Sequence, residues 1–344
     1  MNLEEDKIHI LAHTKNVWVE LKEKTIFITG GTGFFGKWLL ESFIYANTIL
    51  KLNSKLFVLS RDPDTFLNNH PHFKNESLIF IKGDVRDFEF PTQPINYIIH
   101  AATEANLTLN AEQPLQMFNT IVEGTKHILE LAKAKKVKSI LHTSSGAIYG
   151  KQPYNVTHVA EDFTGSPDIY DKNAAYGEGK RVAEMLCNFY HNSCGVNSKI
   201  ARCFAFVGPY QPLDSHYAVG NFIKDIITGN KIKINGDGTP YRSYLYAADL
   251  TIWLWTILIF GKPCSPYNVG SDEELTIEEL AKLLVSISGK KIEIEIAQQK
   301  NNTPPLRYVP SIKKAEIDLG LKVFTNLTES LKKTIQYNLN ERDN

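Results

Sequence analysis

The stretch FITGGTGFFGKWLL, residues 27 to 40, sets Gly30, Gly33 and Gly36 between a β-branched apolar run and a segment of helical spacing. That order demands a strand, a tight turn and a helix. Glycines in such a turn let the backbone fold back and approach a bulky anion. The anion then rests on the helix N-terminus among unpaired N–H groups. The spacing is GxxGxxG rather than the GxGxxG of the commonest dinucleotide fingerprint, so the strand–turn–helix context carries the reading. A phosphate cradle built from Gly30, Thr32, Gly33, Phe34, Phe35 and Gly36 is expected.

The chain beyond it alternates in the same style. KLFVLS, LIFIKGD, INYIIHAAT, VKSILHTSS and KIARCFAF are short apolar runs, with helical patterns such as KWLLESFIYAN and MFNTIVEGTKHILELAKAKK between them. Strands that are apolar throughout belong to a parallel sheet covered on both faces. The expected fold is therefore α/β, a Rossmann-type doubly wound sheet with ligands at the carboxyl ends of its strands. Past residue 204 the sequence turns rich in loops, and a smaller C-terminal α/β substrate lobe is expected. Residues 1–203 would form the first domain, with 241–262 returning to it, and 204–240 and 263–344 would form the lobe. The run LTIWLWTILIF, residues 250 to 260, is too short to span a bilayer, which takes roughly 20 residues, and reads as a buried helix. Thr276 and Glu279 have the spacing of a capping box, and KIEIEIA alternates like a half-exposed strand. Residues 1–23 carry no readable role.

A formal net charge of zero, with 22% charged residues, gives no electrostatic footprint for nucleic acid or an anionic membrane. Cys187, Cys194, Cys203 and Cys264 form no CxxC pair and read as buried thiols of a reducing compartment; no metal site is expected. The opening MNLEEDKIHI lacks the layout of a signal peptide, and a cytoplasmic location is expected.

At the end of the second strand, in VLSRDP, Ser60 stands where an acid for ribose hydroxyls is usual, and Arg61 follows. An arginine there accommodates the extra phosphate of NADP, so NADP is favoured, with NAD the alternative. Asp84 and Val85, in KGDVRD, are candidates for the adenine side, although a helix cap gives the same pattern. In AAYGEGK, Tyr176 and Lys180 are four apart and share a helix face. A neighbouring ammonium moves a phenol towards ionisation, which turns a poor base into a usable one. Ser145, in TSSGAIYG, ends the fifth strand and supplies a hydroxyl.

With TGGTGFFG, GDVRD, HAAT, FNTIVEGT, TSSGAIYG, YGEGK, GDGTPYRSYLYAADL and YNVGS in this order, the chain resembles the extended short-chain dehydrogenase/reductase family, in its nucleotide-sugar epimerase and dehydratase branch. The resemblance runs from about Lys24 to Leu331. It implies Tyr176 as proton-transfer base, Lys180 on the nicotinamide ribose and Ser145 on the reacting oxygen. It implies Ala101, Ala102 and Thr103 along the cofactor and Asn119 bracing the site. Ser144, Glu104, Asn221, Arg242 and Arg307 would meet a nucleotide-diphosphate sugar, the two arginines at its diphosphate. A homodimer through the helices around Asn119–Lys135 and Tyr176–His191 is also implied.

The departures bear on the reaction. Family 4,6-dehydratases carry Asp-Glu after the catalytic hydroxyl, and UDP-glucuronate decarboxylases keep a Glu in the second position. Here those positions are Gly146 and Ala147, and Ala205 replaces a substrate-side asparagine. Glu104, Asp214 and His216 are the remaining acid–base candidates. The expectation is hydride transfer at carbon 4, as epimerase or 4-ketoreductase. The alternative is a 4,6-dehydratase or decarboxylase-like enzyme with a relocated acid. A non-catalytic cofactor-binding regulator would have no use for Ser145, Tyr176 and Lys180 together.

Overall fold

In the computed structural model, which describes residues 3–103, 107–214, 217–300 and 303–343, the apolar runs become parallel strands. They are β1 (Thr25–Thr29), β2 (Lys55–Ser60), β3 (Leu78–Lys82), β4 (Tyr97–His100), β5 (Ser139–Ser145) and β6 (Ser198–Cys203). Their order in the sheet is β6-β5-β4-β1-β2-β3. The helices that position the site are α1 (Glu4–His13), α2 (Lys15–Leu21), α3 (Phe34–Ile49), α4 (Pro63–Asn69), α5 (Leu107–Glu112), α6 (Pro114–Lys135), α7 (Ala174–Cys194), α8 (Ala218–Thr228) and α9 (Ala247–Phe260). The chain winds outward from β1 to β3, then returns to β4 and winds the other way. That reversal opens a crevice at the carboxyl ends of β1 and β4, where such sheets take ligands.

A seventh strand, Pro266–Val269, pairs parallel with β6 at the edge. This corrects the expectation that everything from 263 onward lies in the lobe. A strand of four residues between proline and glycine is too short to show a period.

Helix α9 is buried from Ala247 to Leu258, because one side lies on the sheet and the other under α1, α2 and α3. Residues 3–21 thus have a plain physical role as the outer cover of an all-apolar helix. Burying tryptophans this deep requires partners for their indole N–H groups. Trp18 donates to Thr14 Oγ1 at 2.8 Å, Trp38 to Pro209 O at 2.9 Å, Trp253 to Lys322 O at 3.2 Å and Trp255 to Ser42 Oγ at 2.9 Å. Buried Asp249, in the first turn of α9, accepts the backbone N–H groups of Phe324 and Thr325, each at 2.8 Å. Asp6 accepts from Tyr246 and Lys333, both at 2.7 Å, so the two ends of the chain are tied to the same helix.

The lobe has its own core of Ile223, Ile226, Leu280, Leu284 and Leu331. Thr276 and Glu279 form the capping box the sequence announced, and Ile294–Ile296 pairs with Ile232–Ile234. Among the described residues no helix is long and apolar enough to cross a membrane. Cys187 and Cys203 are buried, but Cys194 is exposed at the end of α7, contrary to the uniform burial expected of the cysteines.

His100 and His142 are register partners on β4 and β5, with ring centroids 5.4 Å apart and both rings fully enclosed. His100 bonds Thr29 Oγ1 at 2.8 Å and Thr125 Oγ1 at 3.1 Å, whereas neither nitrogen of His142 has a partner. Burial, aided by the Lys180 charge, lowers His100 to about 3 and His142 well below its ordinary value. Below about pH 6.5 the unfolded chain binds protons that these rings refuse. Stability present above that pH is therefore lost as the pH falls, by up to about 1.4 kcal/mol per pH unit for each ring. His142→Leu removes no hydrogen bond. It is expected to leave stability near pH 7.5 unchanged or higher and to flatten the slope between about pH 6 and 4 by that amount. Denaturant unfolding at each pH measures it, and an unaltered slope would contradict the assignment.

Candidate active site

The glycines after β1 are glycines for different reasons. Gly30 has φ +72°, and a Cβ there would stand 2.4 Å from Ala101 O; one on Gly36 would stand 2.3 Å from Gly30 O. Gly33 is exposed, and a Cβ on it would meet nothing nearer than Gly30 O at 3.5 Å. What Gly33 keeps open is the start of α3, whose cap it forms and whose first turn has no side-chain cap. An uncapped helix start with an open flank fits the pyrophosphate of a dinucleotide. Thr32 is partly exposed in the same turn, and Phe34 and Phe35 flank it, Phe35 edge-on to Phe206 at 5.1 Å.

Ser60, at the end of β2, is buried and accepts Asp62 N–H at 3.2 Å; Arg61 beside it is exposed. Asp84 is held in a fork by Arg86, at 2.8 Å and 3.0 Å. That hydrogen-bonded pair keeps its carboxyl below the usual range, with the charge of Arg61 adding. Oδ2 accepts only one of these bonds and keeps a lone pair open for a further donor. Val85 is buried against Gly124 of α6. After β4, Ala102 N–H donates to Thr29 Oγ1 at 3.1 Å, and the Thr103 hydroxyl donates to Ala102 O at 2.7 Å. Ala101 lies directly over Gly30, whose missing side chain makes the contact possible.

Helix α7 brings the proton-transfer groups to this floor. Lys180 is buried and donates to Thr143 O at 2.7 Å and Thr103 Oγ1 at 3.0 Å, with its Nζ 5.9 Å from the Tyr176 ring centre. Burial lowers the ammonium to about 8. Tyr176 packs against Met117, Ile121 and Ala183, and burial pushes its phenol above the ordinary value, opposed by Ser145. The sequence suggested that Lys180 would draw the phenol down. In the structure Lys180 lies beside the Tyr176 ring, and burial is the larger influence on the phenol.

One sequence assignment is corrected here. Ser144 does not face a substrate: its hydroxyl donates to Glu184 at 2.5 Å, and Arg202 clamps Glu184 at 2.8 Å. Glu184 lies four residues beyond Lys180, on the helix face that α7 turns to β5. Asn119 is exposed on α6, whose buried stripe runs through Met117, Ile121, Gly124 and Ile128. Tyr176 is braced by buried Asn110 on α5, which accepts Tyr176 N–H at 2.9 Å and donates to Asn173 O at 2.6 Å.

On the lobe side, the strands Tyr241–Arg242 and Arg307–Tyr308 pair in parallel and set both arginines on one small sheet. Arg242 donates to Tyr241 O at 2.7 Å; Arg307 pairs with Glu274 and lies 4.1 Å over the Tyr241 ring. Asn221 is exposed in the first turn of α8, and Asp214 is exposed in the preceding loop. Glu104 and His216 lie outside the described residues. Among the described residues no cluster of His, Cys, Asp and Glu could hold a metal. Gly146 leaves no vacancy for an acid: a Cβ there would stand 2.7 Å from the Phe204 ring and 2.8 Å from the Tyr308 hydroxyl.

The profile of the NAD dependent epimerase/dehydratase family matches residues 26–270. The chain belongs to this family. Among curated relatives, UDP-glucuronic acid decarboxylase 6 of Arabidopsis thaliana is 32% identical over 310 residues, spanning 89% of this chain and 86% of the relative. The fold is shared with UDP-glucose 4-epimerase of Thermotoga maritima, solved with UDP-glucose, at TM-score 0.80 and 24% identity over 92% of this chain and 99% of that one. It is shared too with a dTDP-glucose 4,6-dehydratase of Streptomyces venezuelae, solved with NAD, at TM-score 0.77 and 23% identity over 93% and 98%. This epimerase/dehydratase family member is an enzyme of nucleotide-sugar chemistry.

Gly33→Ala separates cradle from scaffold. It is expected to leave the melting temperature within a degree or two and to weaken NAD or NADP binding by about tenfold or more in calorimetric titration. Unchanged affinity would contradict a pyrophosphate at this helix start.

Proposed function

We propose that this enzyme moves hydride at carbon 4 of a nucleotide-linked sugar without eliminating water or carbon dioxide, as a 4-ketoreductase or 4-epimerase. The lack of a carboxyl at both positions after Ser145 carries the reading. Phe204 and the Tyr308 hydroxyl crowd the Cβ position of Gly146, and Ala147 has only a methyl where the resemblance would want a carboxyl. When bound, a nicotinamide dinucleotide supplies or accepts the hydride. Tyr176 exchanges the proton with the sugar oxygen, and Ser145 shares that hydrogen bond. Lys180 holds the ribose from its buried anchor, while Arg242 and Arg307 meet the diphosphate.

The reductive direction is supported at the ribose end of the cofactor site. Ser60 brings no carboxylate to the ribose and Arg61 stands beside it, an arrangement that favours NADP. The dinucleotide titration above, run with both cofactors, is expected to give tighter NADP binding.

A second reading, UDP-glucuronic acid decarboxylase, is favoured by the curated relatives at about 30% identity. A 4-ketone beside a carbon-5 carboxylate is a β-keto acid, which sheds carbon dioxide readily. Mass spectrometry after incubation with reduced and oxidised NADP and a panel of UDP-, dTDP-, CDP- and GDP-sugars and their 4-keto forms decides between them. Unchanged mass with inverted carbon 4, or a gain of two hydrogens, is expected; loss of carbon dioxide or water would overturn the first reading. Tyr176→Phe is expected to lower turnover by about 10²–10⁴ while leaving dinucleotide affinity within about twofold. Undiminished turnover would contradict the role of Tyr176.

A further inference from the structure

Helix α7 begins without a cap of its own. Its N-cap residue, Asn173, makes no side-chain bond to the first turn, and its amide donates instead to Asp171 Oδ1 at 3.2 Å. The first backbone N–H groups of a helix have no partner within it, and an N-cap side chain normally serves the second or third of them. The third residue of α7 is Tyr176.

The missing partner comes from another helix. Asn110 on α5 is 4% exposed; its Oδ1 accepts Tyr176 N–H at 2.9 Å, and its Nδ2 donates to Asn173 O at 2.6 Å. One side chain thus holds both the cap residue and the tyrosine. A local cap would fix the helix only against itself. Asn110 fixes it against α5, which packs on both α6 and α7. On another side the same turn presses on the chain beyond β5: a Cβ on Gly177 would stand 2.7 Å from Pro167 and 3.0 Å from Ala147 O. The start of α7 is therefore gripped between Asn110 and the backbone just past Ser145. Lys180 is anchored separately, on Thr143 O and Thr103 Oγ1, so its hold on a ribose does not depend on Asn110.

We propose that Asn110 is a positioning residue for the reaction. By standing in as the cap of α7 it sets where the Tyr176 phenol stands, and it serves proton transfer, not binding. Misplacing a reacting group by about 1 Å can cost about 10²-fold in rate. The proposal rests on Tyr176 as the proton-transfer group and on no particular sugar.

NMR of protein isotopically labelled in tyrosine, with the Tyr176 amide identified by its loss in Tyr176→Phe, needs no substrate. Asn110→Ala is expected to speed hydrogen exchange at that amide by about tenfold or more, and unchanged exchange would overturn the cap. Turnover is read on whichever UDP-, dTDP-, CDP- or GDP-sugar of the panel above the enzyme converts fastest. Asn110→Ala is expected to lower kcat by about tenfold or more, with KM and NADP affinity within about twofold. In the Tyr176→Phe background it is expected to lower the residual turnover by less than about twofold, because the phenol it places is gone. Asn110→Leu, which keeps the volume and loses both bonds, is expected to match Asn110→Ala. Asn110→Asp keeps the oxygen that accepts Tyr176 N–H and is expected to recover most of the loss. An unchanged kcat in Asn110→Ala and Asn110→Leu, an equal loss with and without the phenol, or no recovery in Asn110→Asp would overturn the proposal and leave the reaction standing. No conversion by the unaltered enzyme, or full turnover in Tyr176→Phe, would overturn the role of Tyr176 and the proposal with it.

Discussion

The Lys180 ammonium is buried where α7 crosses the carboxyl ends of β4 and β5, and its bonds to Thr143 O and Thr103 Oγ1 hold the site together. A buried cation is tolerable only when its donors are satisfied, so this contact fixes the rotation and height of α7. The residues one turn to either side are placed by the same act. Tyr176 reaches Ser145, and Glu184 meets Ser144 and Arg202. Glycines let the helix come this close: a Cβ on Gly177 would stand 2.7 Å from Pro167, and one on Gly179 would stand 3.1 Å from Ile121.

The dry floor that makes the Lys180 bonds decisive also sets the proton inventory. Tyr176 and Tyr308 stay protonated, His100 and His142 stay neutral, and Lys180 is drawn down to about 8. Neutral phenols at this floor suit donation to a developing alkoxide. They suit proton abstraction from carbon much less. The Gly146 contact belongs to the same logic, since a phenol fills a space where an acid would bring charge.

Features with short sequence spacing were legible in advance: the glycine turn, the apolar strands, the Tyr176–Lys180 face and the capping box at Thr276. Features made by distant partners were not. Asn110 braces Tyr176 from 66 positions away, and Val309 finds Gln152 across 157. The first two helices carry little signal of their own. Their place becomes clear only when α9, apolar on every side, is seen to need a second cover. Ser144 and Ser145 are adjacent and chemically alike, and only packing against α7 gives one to Glu184 and the other to Tyr176.

Carbon 5 of the sugar is the atom that separates chemistry confined to carbon 4 from its alternatives. Dehydration and decarboxylation both pass through an enol at carbon 5 and draw its new proton from solvent. Turnover in D₂O, with the product examined by proton NMR, therefore tests the central claim directly. The expected result is a product with its original proton at carbon 5 and no deuterium there. Deuterium at carbon 5 would contradict it.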